Sequence, residues 1–332
     1  MAGPYAPTNL NNYIGIGRQA VRGTAVAPTQ FAAYIAAVDL DHAQVINRIM
    51  EAGAFGEVTY AEKVSHMPVG GFELLARPSI AGRFSAYLLG ADVVTGPVST
   101  VYTHTETIDM VTDYLTVEQN LADEGIERFK DAVIAEIVYS ANRDNPVLRM
   151  KASWLGGAPS FEAAPTAESY ETEEPWLFSE STYTVDGGAA ANVIGFELTA
   201  RLRYSVERIT AVTPTYLVKV GAEAEISLEQ ILDDVDEDYR EVQYGSNVGT
   251  AAQTLARTGA FVASFDRGAT TTLRQLQLSV PNLIWESAVY TPLDPGGSEA
   301  TKLSRQGFSR KVAGSQTLQV VAKTLDSASY VL

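Results

Sequence analysis

From Ile194 to Val206 the chain alternates without a break. The even positions read Ile194, Phe196, Leu198, Ala200, Leu202, Tyr204 and Val206. Between them stand Gly195, Glu197, Thr199, Arg201, Arg203 and Ser205. Period two over such a length predicts a long strand with one buried face and one wet face, because successive side chains of a strand point to opposite sides. A helix would mix the two sets. A chain with this segment has to build a sheet and cover one side of it.

Other segments follow the same rule. Val218, Val220, Ala222, Ala224, Ile226 and Leu228 alternate with Lys219, Gly221, Glu223, Glu225, Ser227 and Glu229. Leu148, Met150, Ala152 and Trp154 alternate with Arg149, Lys151 and Ser153. Leu115, Val117 and Leu121 stand opposite Tyr114, Thr116, Glu118 and Asn120. Phe261 to Phe265 and Arg274 to Val280 are shorter cases. The run AVIAEIVY before Ser140 is apolar on both faces and reads as a central strand. Few helical crossovers separate these runs, so the pairing is expected to be antiparallel.

Two helices interrupt the pattern. Pro78 to Leu89 carries Ile80, Phe84, Tyr87 and Leu88 at helical spacing, with a first-turn proline and a terminating Gly90. The second is expected from about Leu232 to Tyr244, with an acidic first turn suited to the positive helix N-terminus. The order strand, helix, glycine, strand, strand occurs twice. Either an ancient duplication or coincidence in a β-rich chain would give that echo.

Between these elements lie irregular stretches. Residues 1–30 hold many glycines and prolines and read as an extended, flexible arm. Residues 160–175 read as a loop joining two halves. Residues 291–300 form another loop, followed by a tail with two strand-like runs. The stretch from about Ile49 to Gly71 is broken by glycines and Pro68 and reads as a long loop, of the kind that is usually functional.

Composition narrows the function. The chain of 332 residues is 46% hydrophobic, enough for a sizeable core. No apolar run approaches the ~20 residues of a membrane helix. The opening MAGPYAPTNLNNY lacks the basic and apolar regions of a signal peptide. Cysteine is absent, which removes disulfides, thiolate nucleophiles and cysteine metal sites. The net charge of -16 disfavours phosphate contacts, which need clustered Lys and Arg. It supplies solubility, and it would also let DNA pass over a surface without sticking.

Chemistry is sought and mostly not found. His42, His66 and His104 form no HExxH pair, and lone histidines are more often structural. Gly15, Gly17 and Ala20 fit a loose GxGxxA spacing, but no apolar strand precedes them and no GK[ST] follows. The acidic run from Asp233 fails as an EF-hand, since Asp238 and Tyr244 occupy the glycine and glutamate places. Carboxylate pairs are inevitable among 40 acidic residues, and no GxSxG is present. No catalytic residue, cofactor site or metal site is therefore expected.

Several segments together resemble one family. GRQAVRGTAVAPT (Gly17 to Thr29) is similar to the start of siphophage major tail tube proteins, with Gly23, Thr24, Ala27 and Pro28 in the matching places. GGFELLARPSIAGRFSAYLLGA resembles the family's strand followed by its prominent helix, and YTHTETI the strand after it. GFELTARLRYSVERI resembles its long second-half strand, and AEISLEQILDDVDEDYREVQYG the strand and short acidic helix near its end.

The resemblance implies a mainly β fold, an antiparallel β-sandwich or half-barrel with one or two flanking short helices and extended N- and C-terminal arms. Residues 1–35 would be the N-terminal arm, 36–290 the tail-tube domain and 291–332 the C-terminal arm. The echo would divide the domain into halves at 36–160 and 176–290. Family members form rings, commonly sixfold, that stack into a hollow tube holding DNA and the tape measure protein. Arms and a long loop join the rings, and tail tip and tail terminator proteins are the other expected partners. The expected location is the virion tail, with assembly in the host cytoplasm. Glu223, Glu225 and Glu229 are the candidate lumen-facing acids, and Met50, Phe55, Val58 and Tyr60 the candidate inter-ring loop. The open alternatives are another virion β protein (a capsid decoration or baseplate component), a secretion-system tube protein, and a β-sandwich glycan hydrolase.

Overall fold

The computed structural model describes residues 13–33, 35, 39–49, 58–120, 125–157, 159–162, 164–208, 213–214, 216–231, 242–244, 254, 256–269, 272–291 and 301–331. The first third supplies β1 (Tyr13–Arg18), β2 (Gln30–Ala32), β3 (Asp39–Asp41), β4 (Gln44–Ile49), β5 (Tyr60–His66), β6 (Val69–Leu75), helix α1 (Pro78–Leu89), β7 (Gly90–Val98), β8 (Val101–Ile108) and β9 (Leu115–Asn120). The middle supplies β10 (Ile126–Asn142), β11 (Arg149–Leu155), β12 (Pro159–Glu162), β13 (Ser181–Val185), β14 (Gly188–Ala189) and β15 (Val193–Glu207). The last part supplies β16 (Tyr216–Ile231), β17 (Thr258–Arg267), β18 (Arg274–Tyr290), β19 (Lys302–Ser309) and β20 (Gln319–Thr324). The ladders between these strands are antiparallel, so the fold is mainly β as expected.

Two long strands organise the sheet. The first half of β10 pairs with β9 and β12, and its second half with β11 and β15. The turn between the halves falls at Asp131, whose φ of 54° lies in the left-handed region. That conformation costs about 1 kcal/mol or more for a residue with a side chain. Two contacts hold it: its N–H donates to Gln19 Oε1 at 3.1 Å, and its carboxylate accepts from Gly23 N–H at 2.6 Å. From β10 the sheet runs through β15, β16 and β19 to the second half of β18. The first half of β18 lies between β17 and β20, and β20 leads on to β8 and β7. The sheet thus curls in a barrel-like way around one core. Trp154, Trp176, Phe72, Phe84, Phe129, Tyr139, Phe261 and Phe265 fill it. Each such side chain contributes about 2–3 kcal/mol by leaving water.

Helix α1 is a core element rather than a flanking one, since all but two of its residues are buried. Its first turn holds no acid. The N–H groups of Ser79 and Ile80 donate instead to the Glu171 carboxylate, at 2.8 and 2.9 Å, from the loop before β13. An anion there satisfies donors that the helix leaves open. Gly90 ends the helix at φ 96°, and a Cβ on it would come within 2.4 Å of Lys219 Nζ.

Several expectations need correction. The stretch from Ile49 to Gly71 is not one loop: it contains β5 and the start of β6. Residues 13–18 are not a flexible arm but the buried strand β1, paired with β9 and β2. Its Gly15 and Gly17 are needed for close packing, because a Cβ would strike Pro28, Val26 and the Ala27 carbonyl. Likewise β19 and β20 of the C-terminal segment are strands inside the sheet. Strand β9 has no wet face: all six of its residues are buried. The second expected helix lies outside the described residues apart from 242–244, which are helical. The 291–300 loop also lies almost wholly outside them.

Candidate functional site

Strand β15 keeps the predicted phase: Leu198, Ala200 and Leu202 are buried, and Glu197, Arg201 and Arg203 are exposed. Pairing with β16 sets Glu223 opposite Arg201, Glu225 opposite Thr199 and Glu229 opposite Gly195. Glu223, Glu225 and Glu229 therefore share the outer face of the sheet, two residues apart in turn or four. Glu223 is bonded to Arg203 at 2.5 Å, and Arg201 to Glu136 at 2.6 Å. These are solvent-facing pairs, worth little each. The structure also brings Glu197 and Glu286 to this face. With Glu223, Glu225, Gln306 and Phe308 they line an open depression of about 490 Å³. Glu229 is not among its lining residues. The arrangement is a field of negative charge open to water, which repels polyanions. Among the described residues no group of three or more His, Cys, Asp or Glu is placed to hold a metal ion.

The alternation of β16 does not hold along its whole length. Leu217 and Lys219 are buried, whereas Val218 and Val220 are 45% and 58% exposed. The ladder explains this. Arg203 pairs with Gly221 and Tyr204 with Lys219, so Val220 is an extra residue and the phase reverses across it. Lys219 was expected on the wet face. It instead reaches the carbonyls of Asp109 at 3.2 Å and Leu89 at 3.5 Å. Burial holds its ammonium below the usual lysine range, against the pull of Asp113 and Asp109. Tyr216 stands exposed beside Val218, with the Arg22 guanidinium over its ring at 3.9 Å.

Strands β4 and β5 pair only with each other among the described strands and form a separate hairpin. Every described residue of β4 is exposed, and so are most of β5. Val58 and Tyr60 stand 48% and 56% exposed. Met50 and Phe55 lie outside the described residues. Val45, Ile46, Ile49 and Val64 are exposed on the same hairpin. None of these four is among the residues picked from sequence for the inter-ring contact, although Val45, Ile46 and Ile49 stand close together in the chain.

Elsewhere charge is buried. Glu118 on β9 accepts from Tyr13 Oη at 2.5 Å and from Arg128 Nε at 2.9 Å. Burial pushes its carboxyl up, but these bonds and one from Thr166 outweigh it, and the value lies below the usual range. His104 on β8 is fully buried, bonded to Asp92 at 2.9 Å and to the Asp326 carbonyl at 2.9 Å, with the Tyr330 ring stacked on it at 4.1 Å. Burial disfavours its charged form, but the bonds to Asp92 and Asp326 prevail and raise the value above the ordinary one. Asp326 also takes Arg83 at 2.9 Å, the Ser79 hydroxyl and the Tyr330 hydroxyl. The segment after β20 is thereby fastened to α1 and β8. Of the three histidines read as lone, His104 is held inside the fold in this way, whereas His42 and His66 lie 3.3 Å apart and are not lone.

The geometry offers an exposed apolar hairpin and an open acidic face. Two comparisons bear on what those surfaces belong to. A search of curated proteins finds no matching relative. The family profile described as phage tail tube protein matches residues 9–280, which is most of the chain. That span takes in the helix, the hairpin and the β15–β16 part of the acidic face, and the chain belongs to the phage tail tube protein family.

Proposed function

We propose that copies of this chain assemble into rings, sixfold in the simplest case, and that the rings stack into the hollow tube of a long, non-contractile tail through which DNA passes into the host. The observation that carries this reading is the β4–β5 hairpin. A lone two-stranded hairpin is marginal in water. This one also holds Val45, Ile46, Ile49, Val58, Tyr60 and Val64 exposed. Apolar side chains on a projecting element mark a contact with another molecule. A hairpin that fits a surface elsewhere on an identical copy makes a head-to-tail contact, which propagates into a filament. Val58 and Tyr60, with Met50 and Phe55, form the inter-ring element in this reading.

Glu223, Glu225 and Glu229 line the lumen, together with Glu197 and Glu286, and keep DNA mobile by repulsion. Tape measure protein shares that lumen, while tail tip and terminator proteins cap the tube. Assembly takes place in the host cytoplasm. Negative-stain microscopy of the purified protein over a concentration series tests the reading. Stacked rings or hollow tubes are expected, and a Tyr60→Ser, Val58→Ser variant is expected to stop at single rings. Tubes that the variant forms as readily as the parent would remove the hairpin from the contact. A reconstruction that sets Glu225 on the outside would remove the acidic face from the lumen.

A further inference from the structure

His42 and His66 meet at the base of the hairpin. His42 directly precedes the turn into β4, and His66 is the last residue of β5, paired in register with Gln44. Nδ1 of His42 lies 3.3 Å from Nε2 of His66, and the two rings are within 6° of parallel. At that separation one nitrogen donates a proton and the other must accept it. Two protonated rings would set an N–H against an N–H. On its far side His42 Nε2 lies 3.4 Å from Glu127 Oε2, whose side chain is 9% exposed. The Phe129 ring lies 5.9 Å from His42. The hairpin thus joins the body through the bond from Met67 N–H to the Ala43 carbonyl at 3.1 Å and the β3–β6 ladder beyond it, and beside these through a row of Glu127, His42 and His66.

We propose that this row is an acid-sensitive hinge: the hairpin is held in one orientation while His66 is neutral, and is released when His66 takes up a proton. Among the charged groups around it, Lys63 on β5 and a charged His42 oppose a positive charge on His66, whereas Glu127 on β10 favours one. Asp41 is engaged by the Ala43 N–H at 2.9 Å, one residue past His42. Burial, then Lys63 and His42, hold the His66 value below the ordinary imidazole range, with Glu127 pulling the other way. A histidine whose folded value is lowered stabilises the closed form above its free value of about 6.5, and that contribution is lost as pH falls through it. Where the hairpin joins copies of the chain, release would loosen the join, but the hinge itself belongs to the single chain and does not depend on assembly.

The absence of cysteine permits a direct test. Spin labels at Glu62→Cys on the hairpin and Lys151→Cys on β11 report the hairpin's orientation in dilute, unassembled protein. A second pair, Lys151→Cys on β11 with Gln306→Cys on β19, four strands away across the sheet, reports the body. The distances are measured by pulsed electron resonance at about pH 7.5 and about pH 5.5, either side of the free imidazole value. The hairpin pair is expected to lose its narrow peak at the lower pH while the body pair keeps its own. His66→Gln, whose amide can still bond His42 but takes no proton, is expected to keep the narrow peak at both. A wild-type hairpin distance that does not change overturns the proposal. So does a His66→Gln variant that broadens like the parent, or a body pair that broadens with the hairpin.

Discussion

The outer face of β15 and β16 and the contact between β8, α1 and the C-terminal segment handle the same residue types in opposite ways. On the first, Glu197, Glu225 and Glu229 stand in water. In the second, Glu106 and His104 are fully buried, and the Asp92 side chain with them. Glu106 shows what burial costs. Burial, then the nearby Asp92, pushes its carboxyl well above the usual range, which favours the protonated form. The Ser85 hydroxyl close by is engaged by Tyr139 at 2.6 Å and donates to the Ala81 carbonyl at 2.8 Å. Exposed carboxylates can serve a partner or a field while costing the fold almost nothing. Buried ones tie distant parts of the chain together and become part of its stability.

The sharpest way to break this comparison is to remove one member of a buried pair. Asp92→Ala leaves His104 without its partner and is expected to cost about 3–5 kcal/mol, read as the loss of denaturation midpoint in urea. Glu118→Ala removes the acceptor of the Tyr13 hydroxyl and leaves Arg128 only its pair with Glu162, and is expected to cost about 2–3 kcal/mol by the same measurement. Gly90→Ala puts a side chain into the left-handed region and against Lys219, for about 1–3 kcal/mol, visible as a lower Tm. Glu106→Gln should go the other way, with a sign that depends on pH. The raised carboxyl makes folding favourable at acid pH, where it is protonated in both states, and progressively costlier as pH rises above the free value of about 4.3. The amide should therefore raise Tm at pH 8 and leave it nearly unchanged at pH 4, as calorimetry at both values would show. The smallest effect belongs to the open face. Glu225→Lys should alter stability by no more than about 0.5 kcal/mol, and a larger loss would mean that the face is not free.

Much of the fold could be read from local pattern. The phase of β11, and of β15 from Phe196 to Arg203, held because neither strand gains a residue there, although Ile194 is an extra residue at the start of β15 and Gly195 is buried beside it. The proline and glycine bracketing α1 mark its ends in the structure. Departures came from partners far away in the chain. Val220 reverses β16 because an extra residue in a ladder is invisible in hydropathy, so a lysine that alternates correctly ends up inside. The Glu118 face of β9 looks wet in sequence and is dry because Tyr13 and Thr166 lie over it. Glu223, Glu225 and Glu229 could be named from alternation alone, whereas Glu197 and Glu286 join them only through the pairing of β15 with β16 and of β18 with β19. Only the second strand of the hairpin lay in the stretch read as unusual, and it was not legible as a strand because the glycines around it outweighed its short β-branched runs.

The fastening of the C-terminal segment to α1 also has a bearing on time. Asp326 follows Ser79 by 247 residues and His104 by 222. A ribosome adding ~5–20 residues per second needs roughly 12–50 s to cover the longer gap. Throughout that interval β8 lacks its neighbour β20, and the first turn of α1 lacks the carboxylate that Ser79 and Arg83 share. The nascent chain can gather its early strands but cannot seal its interior. A growing polypeptide that is unable to finish early is also unable to present a complete surface, so in the proposed assembly joining would fall to released chains.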